Sequence, residues 1–141
     1  LPFLAEDLGL LDPQVRSLLA LSGYPGMLVY QFSAQEMRHL PKDIAERKIF
    51  YTGTHDNQTL TGWCEEHSLS PDSTETIIRE LYESPAAWVI TPLQDLLGLG
   101  NEARMNIPGQ TKGNWKWRAE ASHLTTDLAK RVASWAVASC R

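Results

Sequence analysis

The run Ile49-Phe50-Tyr51-Thr52-Gly53-Thr54-His55-Asp56-Asn57 passes from large apolar side chains to a polar loop within a single step. Three bulky apolar residues in succession suit a strand buried on both faces, as in a parallel sheet. This spacing predicts a strand over residues 49–53 that delivers His55 and Asp56 into the loop beyond its C-terminal end. Upstream, the apolar residues 1–5 end at Glu6 and predict a strand near residues 2–6. A helix over Pro13–Ser22 follows, because Asp12 suits the N-cap, Pro13 the first turn, and Gly23 the stop. Val15, Leu18 and Leu19 supply its apolar stripe.

Residues 26–32 predict a second buried strand, followed by a polar stretch over residues 33–48 with room for a short helix. After Asp56, residues 57–66 suit a helix. Ser70 and Pro71 then start another, with Ile77, Ile78, Leu81 and Tyr82 on one face. A fourth strand is expected near residues 87–91, a helical turn at 93–97, and irregular structure over 98–117. The last helix begins near Thr126 and repeats Leu128, Val132 and Trp135 at helical spacing. Alternation of this kind indicates an α/β fold with a parallel sheet. Four such strands make half of an eight-stranded (β/α)8 barrel, with two open edges. A small open sheet and a piece of a larger barrel both fit the pattern.

Composition narrows the function classes. The 141 residues are 43% hydrophobic, with 13 basic and 17 acidic residues and a net charge of −4. No block of like charge offers a surface for a phosphate backbone, so a nucleic-acid partner is not expected. The longest uncharged stretch, residues 17–35, contains Gly23, Pro25 and Gly26, and no membrane span is expected. No signal peptide is expected either, and a chain beginning at Leu1 reads as one that has lost its true start. Cys64 and Cys140 have neither disulfide nor metal spacing, as for idle thiols in a reducing cytoplasm.

Chemistry in parallel sheets gathers at the C-terminal ends of strands, where Glu6 and Asp56 fall. Two carboxyl groups there suit glycoside chemistry, one protonating the leaving oxygen and the other stabilising the cationic sugar. The plainer reading is capping: Glu6 and Asp7 would cap the turn that follows them, and Asp56 the helix after Asn57. His55 beside Asp56 lacks further metal ligands at short spacing, and His39, His67 and His123 supply none, so no metal or other cofactor is expected. A neutral hydrogen-bonding role for His55 is more economical. Gly98-Leu99-Gly100 lacks the remaining elements of a phosphate loop. Trp115 and Trp117 alternate with Lys116 and Arg118, which fits a stacking platform for sugars or bases and equally fits aromatic packing. Trp88 and Trp135 lie in apolar surroundings and are expected in the core.

Five motifs in order carry a more specific signal. They are Ala5-Glu6-Asp7-Leu8-Gly9, Gly23-Tyr24-Pro25-Gly26-Met27, Tyr51-Thr52-Gly53-Thr54-His55-Asp56-Asn57, Gln94-Asp95-Leu96-Leu97-Gly98-Leu99-Gly100-Asn101-Glu102-Ala103-Arg104-Met105-Asn106, and Gly113-Asn114-Trp115-Lys116-Trp117-Arg118. Together they closely resemble the C-terminal part of 4-α-glucanotransferases of the amylomaltase (disproportionating enzyme) family, across nearly the whole chain. The resemblance implies a (β/α)8 barrel in the complete enzyme, with residues 1–141 as the C-terminal part of its catalytic barrel. It also implies retaining transfer of α-1,4-glucan segments between maltooligosaccharides in the cytoplasm.

Carried over by position, Glu6 would be the general acid/base and Asp56 the transition-state stabiliser. His55 would hydrogen-bond the same sugar, Asn106 would contact donor-side glucose, and Asn57 would join the substrate-binding set. The family's nucleophile is an Asp in an Arg-x-Asp-His-type motif, and no such motif occurs here. That residue and the N-terminal half of the barrel are therefore expected upstream, and the isolated chain is expected to be inactive. The alternative is a non-catalytic carbohydrate-binding or regulatory remnant of the family. Two departures stand out. Gln35-Glu36 and Leu40-Pro41-Lys42-Asp43-Ile44 replace the family's acidic residue and Leu-Pro-His-Asn-Tyr-like loop, and the stretch between Trp63 and Trp88 is short.

Overall fold

The computed structural model describes residues 3–139, which divide into two compact units. The first holds the described residues up to Tyr51 together with Pro85–Ile90. The second holds Thr52–Ser84 and the chain from Thr91 onward.

In the first unit, helix α1 (Pro13–Ser22) has the limits its sequence signals require. Asp12 Oδ1 accepts the Val15 N–H at 2.9 Å, and Gly23 ends the helix at a φ of 66°, where a side chain would be strained. Strands β1 (Gly26–Val29), β2 (Lys48–Tyr51) and β3 (Trp88–Ile90) form a parallel sheet in the order β1-β2-β3. Met27 pairs with Ile49, and Phe50 with Val89. Val29, Ile49 and Phe50 are buried in its core. Each such side chain contributes about 1.5–3 kcal/mol relative to exposure.

Three expectations are corrected here. The strand expected over residues 26–32 stops at Val29, and Tyr30 opens helix α2 (Tyr30–His39). Tyr30 and Met37 are its buried residues, on either side of a kink at Ser33 (φ −128°, ψ 21°), and Val29 ahead of it supplies no side-chain cap to mark a helix start. The short helix α3 (Lys42–Ala45) follows. Residues 3–6 form no strand, so the described sheet has three strands rather than four. Pro25 has no N–H to give a ladder there, and the Asp7 carboxylate takes the Met27 N–H at 2.7 Å. The segment is held instead by that bond and by the Ala5 N–H to the Pro25 carbonyl, 3.0 Å. Pro2 and Cys140 lie outside the described residues. Finally, Trp88 is 56% exposed rather than core, because it opens an outer strand. The Val15 and Leu18 side chains of the α1 stripe are also exposed.

The second unit holds α4 (Leu60–Glu66), α5 (Ser73–Glu83), α6 (Leu93–Leu96) and α7 (Thr126–Ala138), with 3-10 turns at Asn101–Ala103 and Ala121–His123 between α6 and α7. Thr59 caps α4 through the Gly62 N–H, so that helix starts three residues later than expected. Ser70, expected as the cap, and Pro71, expected as the first residue, form a turn ahead of α5, with the Ser73 N–H bonded to the Ser70 carbonyl. Ile77, Ile78 and Leu81 are buried, and Tyr82 meets Trp135 of α7 edge-on at 6.0 Å. Cys64 is buried, and desolvation holds its thiol above the usual range, as for an inert cysteine.

Asp7 is the main polar anchor of the first unit, with Lys48 Nζ 3.0 Å from its second oxygen. Gly26 leaves room for it, since a β-carbon there would fall 2.1 Å from Asp7 Oδ2 and displace that carboxylate. Asp7→Ala is expected to lower the unfolding free energy by about 1.5–3 kcal/mol, the value of a charge-assisted hydrogen bond. Asp7→Asn, which keeps an acceptor for Met27, should cost less; urea denaturation measures both.

Candidate active site

The loop after β2 is built on a buried carboxylate. Asp95, on α6, is 2% exposed and accepts the Thr52 hydroxyl at 2.6 Å and the Leu60 N–H at 2.7 Å. Those bonds pin both ends of residues 52–60. Desolvation pushes the Asp95 carboxyl above its usual range, while the two bonds oppose that shift. Within the loop, Asn57 is buried, and its Oδ1 accepts from both the N–H (2.9 Å) and the hydroxyl (2.7 Å) of Thr54. That closed turn presents His55 and Asp56 outward, with side chains about half exposed.

A second segment locks onto this turn. The Asn106 N–H donates to the His55 carbonyl at 3.1 Å, and Asn106 Nδ2 donates to Asp56 Oδ1 at 2.6 Å. Arg104 bridges the two segments, Nη2 donating to the Asp56 carbonyl (2.6 Å) and Nε to the Asn106 carbonyl (2.8 Å). His55 Nε2 lies 3.2 Å from the same Asp56 Oδ1. Both neighbours thus converge on one carboxylate oxygen, and Oδ2 takes no hydrogen bond from the described residues. A cavity of about 150 Å³ beside the turn is lined by Thr54, His55, Asn57, Asp95, Arg104 and Met105, among others.

His55, Asp56, Asn57 and Asn106 are therefore brought together in the second unit. Glu6 belongs to the first, exposed between the anchors at Ala5 and Asp7. Its charge adds to desolvation in holding the Tyr51 hydroxyl above its usual range. Asp7, beside it, pairs with Lys48 instead of capping the next turn.

Among the described residues, no cluster of three or more His, Cys, Asp or Glu could hold a metal ion. His67 stacks on Trp63 with centroids 4.2 Å apart, and His123 Nδ1 accepts the Glu120 N–H. Trp115 lies against His55, with ring centroids 5.2 Å apart. Trp117 stacks on His123. Asp95 and Arg104 are the site residues that sequence reasoning missed. Both stand inside a quoted motif, but no local spacing shows which backbone groups they reach.

The family model for 4-alpha-glucanotransferases, glycoside hydrolase family 77, matches residues 1–125. The chain belongs to this family. It is 43% identical over 136 residues to the plastid 4-alpha-glucanotransferase of Solanum tuberosum, which covers 84% of this chain and 24% of that protein. Identity to the Thermus thermophilus 4-alpha-glucanotransferase is 36% over 99% of this chain and 33% of the relative. The amylomaltase of Streptococcus agalactiae, solved with acarbose, superposes on the whole chain with a TM-score of 0.85 and 33% identity. The chain covers 32% of that structure, so it spans about a third of these relatives or less. Its parallel α/β architecture agrees with the fold class expected from the family.

The buried acid makes stability depend on pH. With its folded pKa raised, Asp95 keeps a proton where the unfolded chain, near the ordinary value of 3.8, has lost it. Stability is therefore expected to fall as pH rises from that value and to level once the folded group ionises. Asp95→Asn should remove this slope in thermal melts across the acid range. Asp95→Ala should cost about 1–3 kcal/mol or more, because the Leu60 N–H and the Thr52 hydroxyl lose their acceptor.

Proposed function

We propose that the chain supplies the acid/base and charge-stabilising side of an active site that transfers α-1,4-glucan segments with retention. The observation that carries this reading is the Asp56 carboxylate. One oxygen faces Asn106 Nδ2 and His55 Nε2, the other takes no hydrogen bond from the described residues, and the side chain is about half exposed, as a group that binds sugar hydroxyls requires. Asp56 then stabilises the oxocarbenium-like transition state, and His55 and Asn106 hydrogen-bond the same sugar. Asn57 belongs to the substrate-binding set through the turn it closes.

Glu6 protonates the leaving glycosidic oxygen while a carboxylate from outside these 141 residues attacks the anomeric carbon. The same Glu6 then takes the proton of the acceptor hydroxyl as that oxygen displaces the carboxylate. In retaining enzymes nucleophile and acid/base stand roughly 5–5.5 Å apart. The partner on this reading is the N-terminal part of a barrel, for which the outer edge of β3 and the exposed stripe of α1 offer docking surfaces. The substrates on this reading are maltooligosaccharides or longer α-glucans, and the setting is the cytoplasm. No helix of the described residues is long and apolar enough to cross a membrane.

Disproportionation of maltotriose tests the proposal. The isolated chain should form no longer or shorter products, whereas the complete reading frame should. In that frame Glu6→Gln and Asp56→Asn should each lower turnover about a hundredfold or more. Full activity in both variants would sink the role assignment. A complete frame that binds maltotetraose without turnover would favour the non-catalytic carbohydrate-binding remnant.

A further inference from the structure

Trp115 has a backbone φ of 62°, a left-handed conformation that a bulky residue adopts only when its surroundings enforce it. Both sides of the residue are enforced. Its N–H donates to the Met105 carbonyl at 2.7 Å, and its own carbonyl accepts from Arg118 Nη1 at 2.9 Å. The preceding Asn114 closes the intervening loop, accepting the Ile107 N–H at 3.0 Å and donating to the Gln110 carbonyl at 2.9 Å. Met105 and Ile107 flank Asn106, so the bonds that hold Trp115 also fix the residue that grips Asp56.

The indole is not spent on packing. It meets the half-exposed His55 ring at a 38° tilt and remains 51% exposed. Trp117, two residues on, is more buried and stacks on His123 with planes 4° apart. The two tryptophans have divided the alternatives: one packs, and the other is presented beside the acidic turn. An exposed apolar ring face next to a carboxylate, an imidazole and an amide has the composition of a carbohydrate subsite. The polar groups take hydroxyls, and the ring takes the C–H face of a pyranose.

We infer that Trp115 is a substrate-binding residue that stacks against a glucose unit of the glucan beside the unit held by His55 and Asp56. This rests on the sugar-binding reading above.

The test is a maltotetraose titration of the complete reading frame carrying Glu6→Gln to block turnover, followed by NMR at the tryptophan indole N–H groups and the loop amides. Trp115→Phe assigns the Trp115 signal and retains a ring face; Trp115→Leu retains apolar bulk without one. Maltotetraose should move the Trp115 indole together with the His55 and Asp56 amides. Trp115→Leu should weaken binding about tenfold, and Trp115→Phe should bind nearly as tightly as the parent. Movement of the His55 and Asp56 amides with a still indole, or equal binding by the Leu and Phe variants, would overturn this inference alone. No movement at any of these groups at millimolar sugar would overturn it together with the sugar-binding reading.

Discussion

The buried carboxylate of Asp95 is the constraint on which the rest of the site depends. A charge-bearing group almost fully withdrawn from water is costly unless its oxygens are hydrogen-bonded. Here they hold Thr52, just past the end of β2, and Leu60, the first residue of α4. Nine residues of loop therefore close on one point, and the entropy of the intervening chain is restricted before any substrate arrives. Inside that closure Asn57 satisfies Thr54 twice, leaving His55 and Asp56 as the residues pointed outward.

A second lock makes the arrangement specific. Arg104 reaches two backbone carbonyls with one planar fork, a task a lysine cannot copy, and so joins the Asp56 turn to Asn106. The outcome is a carboxylate committed on one oxygen and open on the other. Fold alone would not define this chemistry, since parallel α/β architectures host many activities. The local geometry at Asp56, together with family membership, supports the glucan-transfer reading.

Much of this was legible in sequence wherever the signal is local. The limits of α1 follow from Asp12, Pro13 and Gly23, and β2 from its apolar run, although it ends at Tyr51 rather than at the expected Gly53. His55, Asp56 and Asn106 were legible as site candidates through ordered motifs. What failed depended on distant partners. Tyr30 to Phe32 read as strand because Val29 offers no side-chain cap to mark the start of α2. The segment before Glu6 read as strand although Pro25, its neighbour in space, has no N–H to offer. Trp88 looked like core because its strand's outer position cannot be seen in composition. Asp95 and Arg104 were unremarkable for the same reason, since their worth lies in groups 35 to 48 positions away.

The dependence of the loop on Asp95 is open to direct measurement by amide hydrogen exchange in the parent chain and in Asp95→Ala. Exchange at Thr54, Asn57, Leu60 and Asn106 should accelerate in the variant while the amides of β2 keep their protection. Protection lost equally in the loop and in β2, or in neither, would contradict the central role assigned to this carboxylate.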